Sequence, residues 1–230
     1  MNPVEQRLLP PDGFFARFRY YAGKYGCVHA ACAFLGRKSS RVWGMLGPVV
    51  TRKYLARWLR TADVKIVNLG GGGLLYERWL TADIDPRSDV YVDLTKRLPF
   101  PNESIDVVYL EEAIEHVARV NGIALIQECC RILKTGGVLR LTTPSLNFFV
   151  RSFLSNPHET RAMNDMFRLY GHLHIYSEEE MKDVLMAAGF SKIVPSRYRD
   201  EASRFGYFDT HPERFSFAPA EWSQYWEAEK

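Results

Sequence analysis

Apolar and polar positions follow two regimes along the 230 residues. In the first 62 residues, short helix-period runs are punctuated by Gly23, Gly26, Gly36, Gly44, Gly47 and Pro48. Between residues 45 and 59, Leu46, Val49, Val50, Tyr54 and Trp58 recur at helical spacing, and Arg52, Lys53, Arg57 and Arg60 decorate the remaining surface. Beyond Asp63 the runs shorten. Residues 64–69 read as a buried strand ending in Gly70-Gly71-Gly72-Gly73; residues 82–85, 90–92, 105–110, 138–142 and 192–194 predict further strands. Between them, Ile123, Ile126, Cys130 and Leu133 mark one helix face, with Gly136 placed to end it. Ser177-Glu178-Glu179-Glu180 has capping-box form ahead of Met181, Val184 and Leu185, in a helix that stops at Gly189. Strands alternating with helices predict an α/β fold, a mostly parallel sheet with helices on both faces and an N-terminal helical segment. Ligands of such sheets sit beyond the strand C-termini, where the strand order reverses.

Charge changes this picture in one respect. Thirty Lys and Arg against 27 Asp and Glu leave a net charge of only +3. Residues 1–65 hold twelve basic and three acidic residues, however, and the other 165 hold eighteen and 24. A basic stripe for nucleic acid would not be confined to one end in this way, so no nucleic-acid partner is expected. The basic segment reads as packed on its own domain, as a lid over a ligand, or as a peripheral contact with anionic membrane. No run of about 18 uncharged apolar residues is present, and the opening Met1-Asn2-Pro3-Val4-Glu5 lacks the basic-then-apolar order of a secretory signal. Cys27, Cys32, Cys129 and Cys130 have neither zinc-ligand nor disulfide-scaffold spacing. Free thiols in a reducing cytoplasm are the expectation.

The candidate chemistry falls at the predicted strand ends. Gly70–Gly73 would let a ligand approach the backbone closely. A dinucleotide fingerprint needs glycine where Leu75 stands, and the short stretch to Leu80 leaves room for only a short helix, which disfavours a nicotinamide-dependent oxidoreductase. Asp85, at the end of the second strand, could accept both ribose hydroxyls or cap a turn before Pro86. Asp93, after the third, could accept from an adenine amino group or cap its own loop.

Taken together, residues 68–73, Asp83-Ile84-Asp85-Pro86, Asp93-Leu94, residues 98–108, Ala113-Ile114-Glu115-His116-Val117 and residues 131–137 resemble class I S-adenosylmethionine-dependent methyltransferases. Residues 171–177 and 187–190 extend the likeness, which covers roughly residues 64–195 and is nearest a small bacterial branch opening Asn-Leu-Gly. The resemblance implies a Rossmann-like domain at 63–197, between a basic helical extension at 1–62 and an aromatic, basic segment at 198–230. It implies S-adenosylmethionine as cofactor, with Asn68, Gly70, Gly71 and Gly72 near its methionine part, Asp85 on the ribose, and Asp93 and Leu94 on the adenine. Leu110 and Glu111 would border the sulfonium end. The chain departs from the pattern at Asn68 (commonly acidic), Leu74 (commonly Gly) and Glu112 (often His), and a cofactor-binding subunit without activity is the non-enzyme alternative.

Methyl transfer from a sulfonium is an in-line displacement, so alignment supplies much of the rate, and a hydroxyl acceptor also needs a proton acceptor. Candidates are His116, His172, His174 and Glu112. His172 and His174, two apart, would face opposite sides of an extended segment and make no metal pair without a third ligand, so no metal is assigned. Strand four ends Tyr109-Leu110-Glu111-Glu112, without the Pro-Pro-aromatic loop that grips a flipped base. The C-terminal Arg197, Arg199, Arg204, Arg214, Phe215, Phe217, Trp222, Tyr225 and Trp226 read either as an edge strand with a packing tail or as an acceptor-side lid suited to a sugar or an anionic conjugate. The expected acceptor is a small molecule or glycan-like compound, methylated at oxygen.

Overall fold

The computed structural model describes residues 7–8, 11–158, 160–215 and 219–230; Met1–Glu5 and Phe217 lie outside them. Parallel strands buried on both faces need near-continuous apolar runs, and the central strands have them. β2 (Ile66–Leu69) is buried throughout and β6 (Ile105–Glu111) at all but one position. With β4 (Leu80–Asp83), β5 (Val90–Tyr91), β7 (Leu133–Pro144), β8 (Lys192–Ser196) and β9 (Ser223–Glu229) they form a seven-stranded sheet in the order β5-β4-β2-β6-β7-β9-β8. The first five of these are mutually parallel, and β9 runs antiparallel to both β7 and β8. The order turns outward in both directions from β2, which places the topological switch at the C-terminal ends of β2 and β6. A second, two-stranded pairing joins β1 (Arg7–Leu8) to β3 (Leu75–Tyr76).

Helices cover the sheet where their apolar stripes dictate. α5 (Arg119–Ile132) buries Leu125, Ile126, Cys129 and Ile132. α8 (Glu178–Ala188) starts as the capping box predicts, with Ser177 Oγ accepting from Glu180 N at 3.0 Å, and ends at left-handed Gly189. Val67, Leu69, Val108, Leu110, Leu139 and Leu141 have no exposed surface and form the centre of the core.

The N-terminal helices α1 (Phe14–Tyr25), α2 (Cys27–Leu35), α3 (Ser40–Val50) and α4 (Arg52–Thr61) dock on the β5 edge. Trp43 is fully buried, with ring centroids 4.6 Å from His29 and 6.3 Å from Tyr91. Lys24 pairs with Asp89 at 3.0 Å, and His29 Nε2 donates to the carbonyls of Pro86 (2.9 Å) and Ser88 (3.1 Å). Burial pushes the His29 imidazole down to about 4. A folded-state value below the unfolded 6.5 means that His29 stabilises the fold fully above pH 6.5 and loses that contribution as pH falls toward 4. The loss is on the order of 3 kcal/mol. Melting temperature followed by circular dichroism should therefore fall across this window. His29→Gln, which keeps an N–H donor but does not titrate, should flatten part of the slope; an unchanged slope would remove His29 from the account.

Five expectations are corrected. The basic helical stretch of residues 45–59 is two helices divided at Thr51. The glycine turn is followed by β3, with no helix. The second strand ends at Asp83, two residues before Asp85, because the pairing of Ala82 with Leu69 and Val90 and of Asp83 with Tyr91 fixes its register. Gly136 does not terminate α5; β7 begins directly at Leu133, and Gly136 donates its N–H to the Lys230 carbonyl at 3.0 Å. Finally, the C-terminal strand β9 is inserted between β7 and β8 and is not the sheet edge. After β7, α6 (Leu146–Ser155) and α7 (Arg161–Arg168) form a small layer of their own around Phe149, Met166, Ile175 and Trp222.

Candidate active site

A cavity of about 530 Å³ opens at the switch point and is lined by Gly70–Gly73, Leu74, Asp83, Ile84, residues 92–95, Glu112, Ala113, His116, Val117, Arg214 and Phe215. Its floor is the turn after β2. Gly70 and Gly72 have φ of 72° and 57°, and a Cβ on Gly70 would stand 2.5 Å from Ala113 Cβ. Only glycine lets the chain turn this tightly beneath a ligand. Asn68 is buried under the turn: a Cβ on Gly71 would meet Asn68 Nδ2 at 2.2 Å. Asn68 thus shapes the turn from below and does not line the cavity.

Asp83 carries the acidic wall. One carboxylate oxygen accepts from Gly72 N and the other from Asp85 N, each at 2.8 Å, and burial pushes its pKa up. Asp85 is not among the cavity-lining residues; its carboxylate accepts from the Arg87 backbone N (2.8 Å) and Nε (2.9 Å). Asp93 and Leu94 do line the cavity, with Asp93 also accepting from Thr95 N at 3.0 Å. Leu110 is wholly inside the core. Glu111 is buried and turned away from the cavity. It accepts from Thr210 N (2.6 Å), His211 N (3.0 Å) and Thr210 Oγ1 (3.0 Å), and pairs with Arg214. Both of its oxygens are thus spent on clamping the C-terminal segment to the end of β6.

The next residue, Glu112, has φ 51°, the left-handed region that non-glycine residues seldom adopt. Its side chain lines both the first cavity and a second one of about 160 Å³. The second cavity is lined by Glu112, Glu115, His116, Pro144, Met166, Tyr170, His172, His211, Phe215, Trp222 and Ser223. Glu112, His116 and Phe215 belong to both. Ser223 Oγ donates to Glu112 Oε1 at 2.8 Å, and burial, then the neighbouring Glu115 carboxylate, hold the Glu112 pKa well above the usual carboxylate range.

His116 and His172 meet edge to face with centroids 4.8 Å apart. Burial pushes His172 down to about 4, with His116 adding to the effect; desolvation also lowers His116, against its hydrogen bond to the Gly171 carbonyl. Both imidazoles are neutral near pH 7. His174 faces the other way, with Nε2 3.1 Å from Glu180 Oε2, and lines neither cavity. This is the alternation expected of an extended segment.

Sequence reasoning missed Asp83, Glu115, Met166, Tyr170 and Ser223 as lining residues. Asp83 and Glu115 lay inside quoted motifs, whereas Met166, Tyr170 and Ser223 carry no local signal. None of the described residues of the N-terminal segment lines either cavity.

A glycine turn and two acidic residues around a cavity at the switch point of a parallel sheet place the molecule in the doubly wound α/β class, with its ligand site where that class carries it. The family described as a methyltransferase domain matches residues 77–194, just over half of the chain, and the chain belongs to that family. It is 31% identical over 123 residues to a protein of Mycolicibacterium smegmatis described as a probable S-adenosylmethionine-dependent methyltransferase, covering 51% of this chain and 42% of that one. A Mycobacterium tuberculosis protein of the same description is 30% identical over 129 residues, 53% of this chain and 42% of that protein. The matches thus span about two fifths of the length of these curated relatives. Among solved structures, a SAM-dependent methyltransferase from Archaeoglobus fulgidus is 14% identical, covering 93% of this chain and 99% of that one, with a TM-score of 0.49.

Proposed function

We propose that this chain transfers the methyl group of S-adenosylmethionine to an oxygen of a small-molecule or glycan-like acceptor. The observation that carries the reading is the pair of cavities meeting at Glu112, His116 and Phe215. The larger fits an adenosyl cofactor on its own geometry: the turn at Gly70–Gly72 admits close backbone approach, Asp83 offers a carboxylate to ribose hydroxyls, and Asp93 offers one to the adenine amino group between the apolar Ile84 and Leu94. When bound, the cofactor supplies an electrophilic methyl group. The protein's part is to align it with an acceptor in the second cavity, between Tyr170, Trp222 and the two imidazoles. His116, neutral and at the junction, assists loss of the acceptor proton.

The basic N-terminal helices stand outside this chemistry. Their exposed Phe15, Met45 and Val49, 70–74% accessible, support a peripheral membrane contact over a lid. Among the described residues no helix is long and apolar enough to cross a membrane. The four cysteines are free, in keeping with a cytoplasmic setting.

Calorimetry with S-adenosylmethionine, S-adenosylhomocysteine and NAD should show binding of the first two and none of the third; the reverse preference would sink the reading. In an acceptor screen, His116→Ala should lower kcat by about 100-fold while leaving S-adenosylhomocysteine affinity within about threefold. Sedimentation with anionic vesicles tests the N-terminal surface in the same preparation, and Met45→Glu with Val49→Glu should abolish it.

A further inference from the structure

The floor of the second cavity holds a donor set that alignment of a methyl group does not require. Glu115 is fully buried; its Oε2 accepts from Thr143 Oγ1 at 2.9 Å, and its Oε1 has no hydrogen-bond partner. His172 is 8% exposed, and its Nδ1 has no partner either. Native interiors rarely leave such atoms without a partner; the nitrogen that His172 turns toward Glu115 is Nε2. His116 Nε2 and His172 Nε2 approach Glu115 Oε1 to 3.9 and 4.0 Å, too far for hydrogen bonds. One ligand atom from each of the three residues lies within 4.8 Å of the others.

Two imidazoles and one carboxylate are the donor set of three-ligand zinc sites that keep a fourth position open. Metal–ligand bonds of about 2.0–2.2 Å put donors roughly 3.4 Å apart, so an ion would draw these atoms in by about half to one and a half ångströms. The scaffold already ties the ligands together. The Glu115 carbonyl accepts from Leu173 N at 2.7 Å and His174 N at 3.3 Å, pinning the loop that carries His172 to the turn that carries Glu115 and His116.

We propose that Glu115, His116 and His172 bind a divalent transition-metal ion of the zinc type, with its open coordination position facing the second cavity. Imidazole donors favour zinc, cobalt or iron over magnesium or calcium. The ion selects acceptors that present an oxygen ligand. A hydroxyl bound to it would lose its proton to water more readily; the oxygen keeps the electron pair and forms the O–CH3 bond as the S–CH3 bond breaks and S-adenosylhomocysteine leaves. His116 then serves that proton loss as a ligand. This acceptor step rests on the methyl-transfer reading; binding of the ion does not.

The test titrates the full chain with Zn²⁺ and Co²⁺, following heat and the Co²⁺ absorption spectrum, alongside S-adenosylhomocysteine binding. The wild type should bind one equivalent of Zn²⁺ tighter than about 10 μM. Glu115→Gln and His172→Ala should each weaken this at least 100-fold while retaining S-adenosylhomocysteine, and His174→Ala should bind metal as the wild type does. His172→Asn serves if the alanine variant does not fold, as judged by circular dichroism. Absence of Zn²⁺ binding below millimolar concentration, or equal affinity in the Glu115 and His172 variants, overturns the proposal. Site-specific Zn²⁺ binding without cofactor binding would leave the metal site standing and remove the methyl-transfer reading.

Discussion

Asp83→Ala is expected to weaken S-adenosylhomocysteine binding by about 30–100-fold, and Asp85→Ala by less than about threefold. The two carboxylates sit two residues apart in Asp83-Ile84-Asp85 and do different work. Asp83 ends β4 with its oxygens 2.8 Å from Gly72 N and Asp85 N and its side chain on the cavity wall. Removing it takes away the acceptor proposed for the ribose hydroxyls and leaves the Gly72 N–H, at the turn beneath the ligand, without its partner. Each of those losses is worth about 1–3 kcal/mol. Asp83→Asn keeps an oxygen for one N–H and should fall between wild type and alanine. Asp85 instead holds Arg87, whose side chain is half exposed. Arg87 stands beside the glycine turn, 3.3 Å from where a Cβ on Gly73 would be, so the pair braces the turn from outside. An ion pair with that much solvent contributes little. Calorimetry on the three variants, with melting curves to show that each is folded, decides the matter; equal losses at both positions, or a larger one at Asp85, would reverse the assignment.

The same dipeptide step shows where local sequence stops being informative. β2, β6 and the second half of β7 were legible because each is a short apolar run, and the start of α8 because Ser177 and Glu180 are three residues apart and satisfy one another locally. The end of β4 was not, because the chemistry of Asp-Ile-Asp is the same in either register; only pairing with Leu69 and Tyr91 chooses Asp83. Glu111 read as a cofactor neighbour because it follows β6, yet its acceptors are filled by Thr210, His211 and Arg214, about a hundred positions along the chain. The wall of the second cavity was illegible for the same reason. α6 and α7 enclose it by packing Phe149 and Met166 with Trp222, which the return of β9 brings to them. His172 and His174 make no metal pair by themselves. The partners that matter, Glu115 and His116, lie more than fifty residues upstream. What the sequence could say was that the two histidines diverge, and they do.

Arg140→Met is expected to destabilise the fold by about 3–5 kcal/mol, lowering the melting temperature by roughly 10 °C, and Asp209→Leu to do the same. Both side chains are wholly buried. Arg140 Nε donates to Asp209 Oδ1 at 3.0 Å, a second nitrogen reaches Oδ2 and the Arg197 carbonyl, and the guanidinium lies 5.5 Å from the centre of the Tyr225 ring. Asp209 also accepts from Arg199 N at 3.1 Å. Burial nonetheless pushes the Asp209 carboxyl up to about 6, with Arg140 opposing the shift. Desolvation therefore cancels much of the attraction, and the pair adds little net stability. Cutting it in half is a different matter, because one charge is then stranded in the core. The double variant Arg140→Met/Asp209→Leu should accordingly recover most of the loss, a coupling visible in a double-mutant cycle of denaturant midpoints. Asp209 immediately precedes Thr210 and His211, which grip Glu111, so the single variants should also loosen the wall formed by His211, Arg214 and Phe215. Acceptor KM should rise more than cofactor affinity falls. Single variants melting within about 2 °C of wild type would show that the buried pair does not hold this wall in place.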